Sequence, residues 1–80
     1  MFNLKEYMES IDFQNAFMRY GSYTEDELAK IIRESDDWDM MALCWLCHIA
    51  DMDEQYASAD QDSFEDVVTK AAEKLGVDIG

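Results

Sequence analysis

The sequence predicts an all-α fold, a compact bundle of four to five short helices around one central apolar helix. Three observations carry the prediction. The 80 residues include no Pro, and no stretch alternates apolar and polar residues as a half-buried strand would. Apolar residues instead recur at three- and four-residue intervals in separate segments, the period of a helix with one buried face. Finally, the stretch Asp36 to Met52, DDWDMMALCWLCHIADM, contains twelve residues from Met40 to Asp51 whose only charge stands at the last position. A helix that apolar must be covered on most sides, so the remaining segments are read as its amphipathic cover.

At this length the chain makes a single domain, residues 1–80, that buries only about 60% of its unfolded surface, so a dense core is needed. An apolar content of 49%, with two Trp, four Tyr and four Phe, supplies one.

Taken in order, Asn3 with Glu6 three residues on caps a first helix, on which Leu4, Tyr7, Met8 and Ile11 form one stripe. Phe13, Ala16, Phe17 and Tyr20 are spaced for a second segment, with Asp12 as its cap and Gly21 as a left-handed stop. The pattern leaves open whether these two join as one bent helix. Thr24 with Glu27 is a capping box, with Glu25, Asp26 and Glu27 in the first turn where the helix dipole favours acids. Leu28, Ile31 and Ile32 face inward on that third helix.

Ser35, Asp36 and Asp37 stop the third helix and cap the central one, on which Trp38, Met41, Ala42, Leu43, Trp45, Leu46 and Ile49 occupy most faces. Beyond Met52 the pattern fades through DEQYASADQ, read as a helix end and a polar connection. Asp62 with Glu65, or Ser63 with Asp66, caps a last helix that Gly76 ends, and Val77 and Ile79 form a short apolar tail that folds back. The expected core joins Trp38, Met41, Trp45, Leu46 and Ile49 to Phe17, Leu28, Ile31, Ile32, Phe64, Val68 and Leu75.

Charge bounds the function. Nineteen acids against six bases give a net charge of −13. Such a field repels nucleic acid and anionic membranes and attracts basic protein surfaces, so the expected partner is a protein. The N-terminus, MFNLKEYMES, lacks a basic leader with an apolar run, and the longest uncharged run is shorter than the roughly 20 residues of a membrane span. A cytoplasmic protein is expected. Cys44 and Cys47, at i and i+3 of a helix, fit reduced thiols rather than a disulfide.

Cys44, Cys47 and His48 spell C-W-L-C-H, the c-type haem attachment pattern of two thiols and an adjacent iron ligand. The pattern lies inside the apolar helix, where haem would displace the core, and no leader precedes it. The reading preferred is two small buried hydrophobes and a satisfied core His, with no cofactor. Zinc on the same trio lacks a fourth Cys or His anywhere in the chain. Asp51, Asp53 and Gln55 begin something like a calcium loop, yet Tyr56 stands where the turn needs Gly, and Ala57 and Ala59 stand where ligands belong. With one His set in an apolar run, no nucleophile and base pair is suggested, and the chain is read as a non-enzyme.

Asp62-Ser63-Phe64, leading into a helix that ends Leu75-Gly76, is similar to the Asp-Ser-Leu segment of acyl carrier proteins, in which the Ser bears phosphopantetheine. In that family two further helices follow the Ser, whereas one follows here, and cap chemistry explains Asp-Ser equally well.

The uneven charge is the strongest remaining signal. From Glu34 to Thr69 there are eleven acids and no Lys or Arg. They gather at both ends of the central helix and at the start of the last one. Neighbours at i+3 or i+4 lie about 5 to 6 Å apart, close to the spacing of successive phosphates, so such a face is able to stand in for a nucleic-acid backbone. Candidate contacts are Asp36, Asp37 and Asp39, then Asp51, Asp53 and Glu54 with Tyr56 as an exposed aromatic anchor, then Asp62, Glu65 and Asp66. In size and acidity the chain resembles the small inhibitors that phages direct against host defence and DNA-binding proteins, anti-CRISPR proteins and DNA mimics among them. The resemblance implies a basic, nucleic-acid-binding partner protein in the host cytoplasm, and it transfers no residue roles.

Overall fold

A computed structural model describes residues 2–80. It is all-α, with six helices and no strand among the described residues: α1 (Leu4–Met8), α2 (Ile11–Tyr20), α3 (Glu25–Glu34), α4 (Met40–Ile49), α5 (Asp53–Ser58) and α6 (Phe64–Leu75). The helix α4 is the hub, packing against α2, α3, α5 and α6. From Ala42 to Cys47 every one of its residues is buried.

The two N-terminal segments are separate helices. Asn3 caps α1, as expected, by accepting the Glu6 amide at 3.0 Å. Ser10 rather than Asp12 caps α2, its hydroxyl accepting the Phe13 amide at 3.3 Å. Ile11 therefore becomes the first residue of α2 and is 78% exposed instead of joining the α1 stripe. Gly21 ends α2 with a right-handed φ of −61°. Its need for Gly is one of space, since a Cβ there would lie 2.5 Å from the Phe17 carbonyl oxygen.

The Thr24 and Glu27 capping box of α3 forms in both directions. The central helix starts later than expected. Asp36 and Asp37 lie in an irregular connection, and Asp39 is the cap of α4, its Oδ1 accepting the amides of Met41 at 3.0 Å and Ala42 at 3.3 Å. The physical reason is Trp38, which leaves the helix to pack its ring against Phe64, with 6.4 Å between centroids.

Where a polar connection was expected, the chain turns through Asp51, at a positive φ of 60°, into α5. Buried Met52 and Asp53 and half-buried Tyr56 hold this single turn and a half against the body. The cap of α6 also differs: Asp60 Oδ1 accepts the amides of Asp62 at 3.1 Å and Ser63 at 2.9 Å, while Ser63 occupies the cap position without accepting an amide of the helix. Gly76 closes α6 in the left-handed conformation, φ 73°. The tail folds back as expected, with Ile79 buried and Arg33 Nη1 donating to the Asp78 carbonyl at 2.7 Å.

Of the expected core, Leu28, Ile32, Trp45, Leu46 and Val68 are buried, and Ile31, Trp38, Met41, Ile49, Phe64 and Leu75 are half-buried against them. Phe17 is the exception at 54% exposure; it meets Trp45 edge-on at 5.4 Å but shields that ring from outside. Phe13 and Tyr20, on the same helix, take the inner positions.

Candidate partner-binding face

The structure sorts the ten candidate contacts into three groups. Asp36 and Asp37 stay exposed before α4, and Asp62, Glu65 and Asp66 stay exposed at the start of α6. Packing of Trp38 on Phe64 draws these two segments to one end of the molecule, and Trp38 and Glu65 line the same shallow groove. Asp51 and Glu54 are exposed at the opposite end of α4. That helix is ten residues long, so the two acidic groups are separated by about 15 Å.

Three candidates are withdrawn from the surface by local bonding. Asp39 is half-buried: besides capping α4, its Oδ2 accepts the Tyr20 hydroxyl at 2.6 Å. Partial burial pushes its carboxyl up, but the Tyr20 hydroxyl and the Ala42 and Met41 amides outweigh that and hold it below the usual carboxylate range. Burial and the Asp39 charge both raise the Tyr20 phenol. Asp53 is only 6% exposed, and its Oδ1 lies 2.9 Å from His48 Nδ1. A carboxylate only accepts, so the imidazole proton sits on Nδ1 and donates. Tyr56, expected as an exposed anchor, is half-buried, its ring 5.7 Å from that of Phe64 and its hydroxyl 3.4 Å from the Met40 carbonyl.

Among the described residues no Lys or Arg nitrogen lies at ion-pair distance from an exposed acid, although Lys70 stands one turn after Asp66 on α6. Among the described residues, the one basic nitrogen within 4.0 Å of a carboxylate is that of His48, and it meets buried Asp53. Every exposed carboxylate therefore faces water without a Lys or Arg at ion-pair distance. Asp60, a turn residue outside the candidate set, is held below the usual range by the backbone and hydroxyl of Ser63.

The two thiols of the C-W-L-C-H stretch are packed into the core. Cys47 is wholly buried and Cys44 nearly so, so neither thiol is placed to reach a porphyrin vinyl without unpacking α4. Burial pushes the Cys47 thiol up to about 12 and raises that of Cys44, whose sulfur pairs with the Tyr7 hydroxyl at 3.3 Å. His48 lies against the rings of Phe13 and Trp45, each with its centroid 4.9 Å away. Among the described residues no three His, Cys, Asp or Glu side chains are arranged to hold a metal ion. Ser63, the acyl-carrier-like position, is half-buried and donates its hydroxyl to Asp60 Oδ1 at 2.9 Å.

Beside the acidic end lies a feature that sequence reasoning missed, an open cleft of about 690 Å³ between α1, α2, α4, α5 and the start of α6. Tyr7, Tyr56 and Phe64 line it with aromatic rings, and Met40, Met41 and exposed Asp12 line it too. No periodicity announces it, because its walls come from five helices whose relative placement the sequence does not spell out.

No family model matches the chain, and neither a curated protein nor a solved structure is significantly similar to it. No helix among the described residues is long and apolar enough to cross a membrane.

Proposed function

We propose that this protein is a small inhibitor that binds a basic, nucleic-acid-binding surface of a partner protein in the cytoplasm, in the manner of phage anti-CRISPR proteins or DNA mimics. The observation that carries the reading is that Asp36, Asp37, Asp62, Glu65 and Asp66, five exposed carboxylates, gather at one end of the molecule with no Lys or Arg nitrogen within 4.0 Å of any of them. Like charges held together repel, and each such neighbour costs a few tenths of a kcal/mol. A Lys- and Arg-rich partner groove relieves that repulsion and releases the ions that screen it. Asp51 and Glu54 offer a second, smaller contact at the far end of α4. Asp39, Asp53 and Tyr56 support the fold behind the face and are not counted among its contacts.

The test is charge reversal. Asp36→Lys with Asp37→Lys, and separately Asp62→Lys with Asp66→Lys, are assayed against a panel of nucleic-acid-handling proteins, with circular dichroism confirming the fold. The acidic face predicts that affinity for the partner falls steeply as salt rises, that nucleic acid competes, and that both double variants lose binding. Unchanged affinity in both folded variants would sink it.

A further inference from the structure

We propose that the cleft between α1, α2, α4, α5 and the start of α6 is an arginine pocket, which seats a guanidinium presented by the basic partner beside the acidic end. The proposal rests on the reading above for its partner, and on the cleft itself for its chemistry. Tyr7, Tyr56 and Phe64 line the cleft, with the rings of Tyr56 and Phe64 tilted at 55° to one another, so π-surfaces are presented at more than one angle. Ring faces attract cations, and a planar guanidinium stacks on them where an ammonium does not. Asp12 and Asn15, both exposed, line the cleft, and no Lys or Arg does. A guanidinium stacked inside therefore has acceptors for its outward N–H groups.

Other occupants fit less well. An anion would meet Asp12 and a net charge of −13. A purely apolar side chain would strip water from Asp12, Asn15 and Ser10 without giving a bond in return. The phenols are held neutral, Tyr7 and Tyr56 both being raised well above the ordinary value, by burial first and then by neighbouring Cys44. Phe64 joins the cleft to the acidic end, since its ring packs on Trp38 behind Asp36 and Asp37 and it directly follows Asp62 and Ser63. A basic segment lying across those carboxylates passes the mouth of the cleft. The arrangement resembles an interface anchor, in which a buried Arg contributes more than the surrounding rim charges.

The probe is the tripeptide acetyl-Gly-Arg-Gly-amide, titrated into the labelled protein and followed by amide NMR, with the lysine and citrulline peptides as comparisons. Expected are shifts at Asn15, Met41, Tyr56 and Ala57, binding about threefold weaker for the lysine peptide, and none for citrulline. Asp12→Asn, which alters an exposed residue, should weaken the arginine peptide by about threefold, and Tyr56→Leu should weaken it further. Equal binding of the citrulline peptide would overturn the proposal, as would shifts confined to Asp36, Asp37, Asp62 and Glu65. Because the peptide titration needs no partner protein, its result is independent of whether the charge-reversed variants keep the partner.

Discussion

The Tyr20 hydroxyl donates to Asp39 Oδ2 across 2.6 Å, tying the last residue of α2 to the cap of α4. One carboxylate thus joins two helix ends: its Oδ1 takes the first free amides of α4 while its Oδ2 takes the phenol. Asp39→Ala should cost about 1 to 2 kcal/mol at neutral pH, read by urea denaturation. Because the folded-state pKa of Asp39 lies below its ordinary value of 3.8, its stabilising effect is present above that value and is lost as pH falls through the folded pKa. The native protein should therefore lose stability below about pH 4 more steeply than Asp39→Asn does. Parallel acid profiles for the two proteins would contradict this role.

Trp45 stands in ring contact with Phe13, Phe17 and His48 at the middle of the hub helix. Trp45→Ala should cost about 3 to 5 kcal/mol, a large share of what so small a domain has. A thermal melt should show an unfolded or barely folded protein at 37 °C. A cooperative transition near that of the native chain would remove α4 from the centre of the core.

The buried thiols should be inert in the fold. Cys44 and Cys47 should react with a disulfide-exchange reagent only as fast as the protein unfolds, and with ordinary thiol kinetics in denaturant. At high pH the sign follows from the raised folded-state value of Cys47. The unfolded chain releases this proton near 9 and the fold holds it to about 12, so stability should fall as pH rises through that window. Fast labelling under native conditions would show that α4 opens locally.

Gly21→Ala should destabilise by about 1 to 3 kcal/mol, although Ala ordinarily suits a right-handed residue better than Gly. The added Cβ meets the Phe17 carbonyl oxygen at 2.5 Å, backbone that cannot turn aside. A neutral or stabilising effect in chemical denaturation would show that the end of α2 relaxes without cost.

How far the sequence could be read depended on the range of the forces involved. The all-α class, the apolar hub and the Thr24 box follow from spacing along the chain, and the structure carries all three. The helix α5 stayed hidden because six residues hold too little of a 3.6-residue period to register against polar neighbours. Its signal was there in retrospect: Met52, Asp53 and Tyr56 are the residues of that segment that turn inward. Asp53 was read as a contact because a carboxylate is ordinarily wet. What buries it is His48, five residues back and brought alongside only by the left-handed turn at Asp51. The same holds for Asp39, whose partner Tyr20 is nineteen residues distant. The clustering of Asp36 and Asp37 with Glu65 depends on the Trp38 and Phe64 rings, a contact that no local pattern predicts.

The position of α4, midway along the chain and in contact with α2, α3, α5 and α6, also sets a clock. The helices α3 and α5 adjoin the hub in sequence, while α2 reaches it across α3 and α6 across α5, so no contact with the hub waits for the two ends of the chain to meet. Helical chains of this topology refold in about microseconds to milliseconds. A small domain with little stability in reserve would then be open often but briefly, returning to its folded form far sooner than slow processes such as aggregation could capture it.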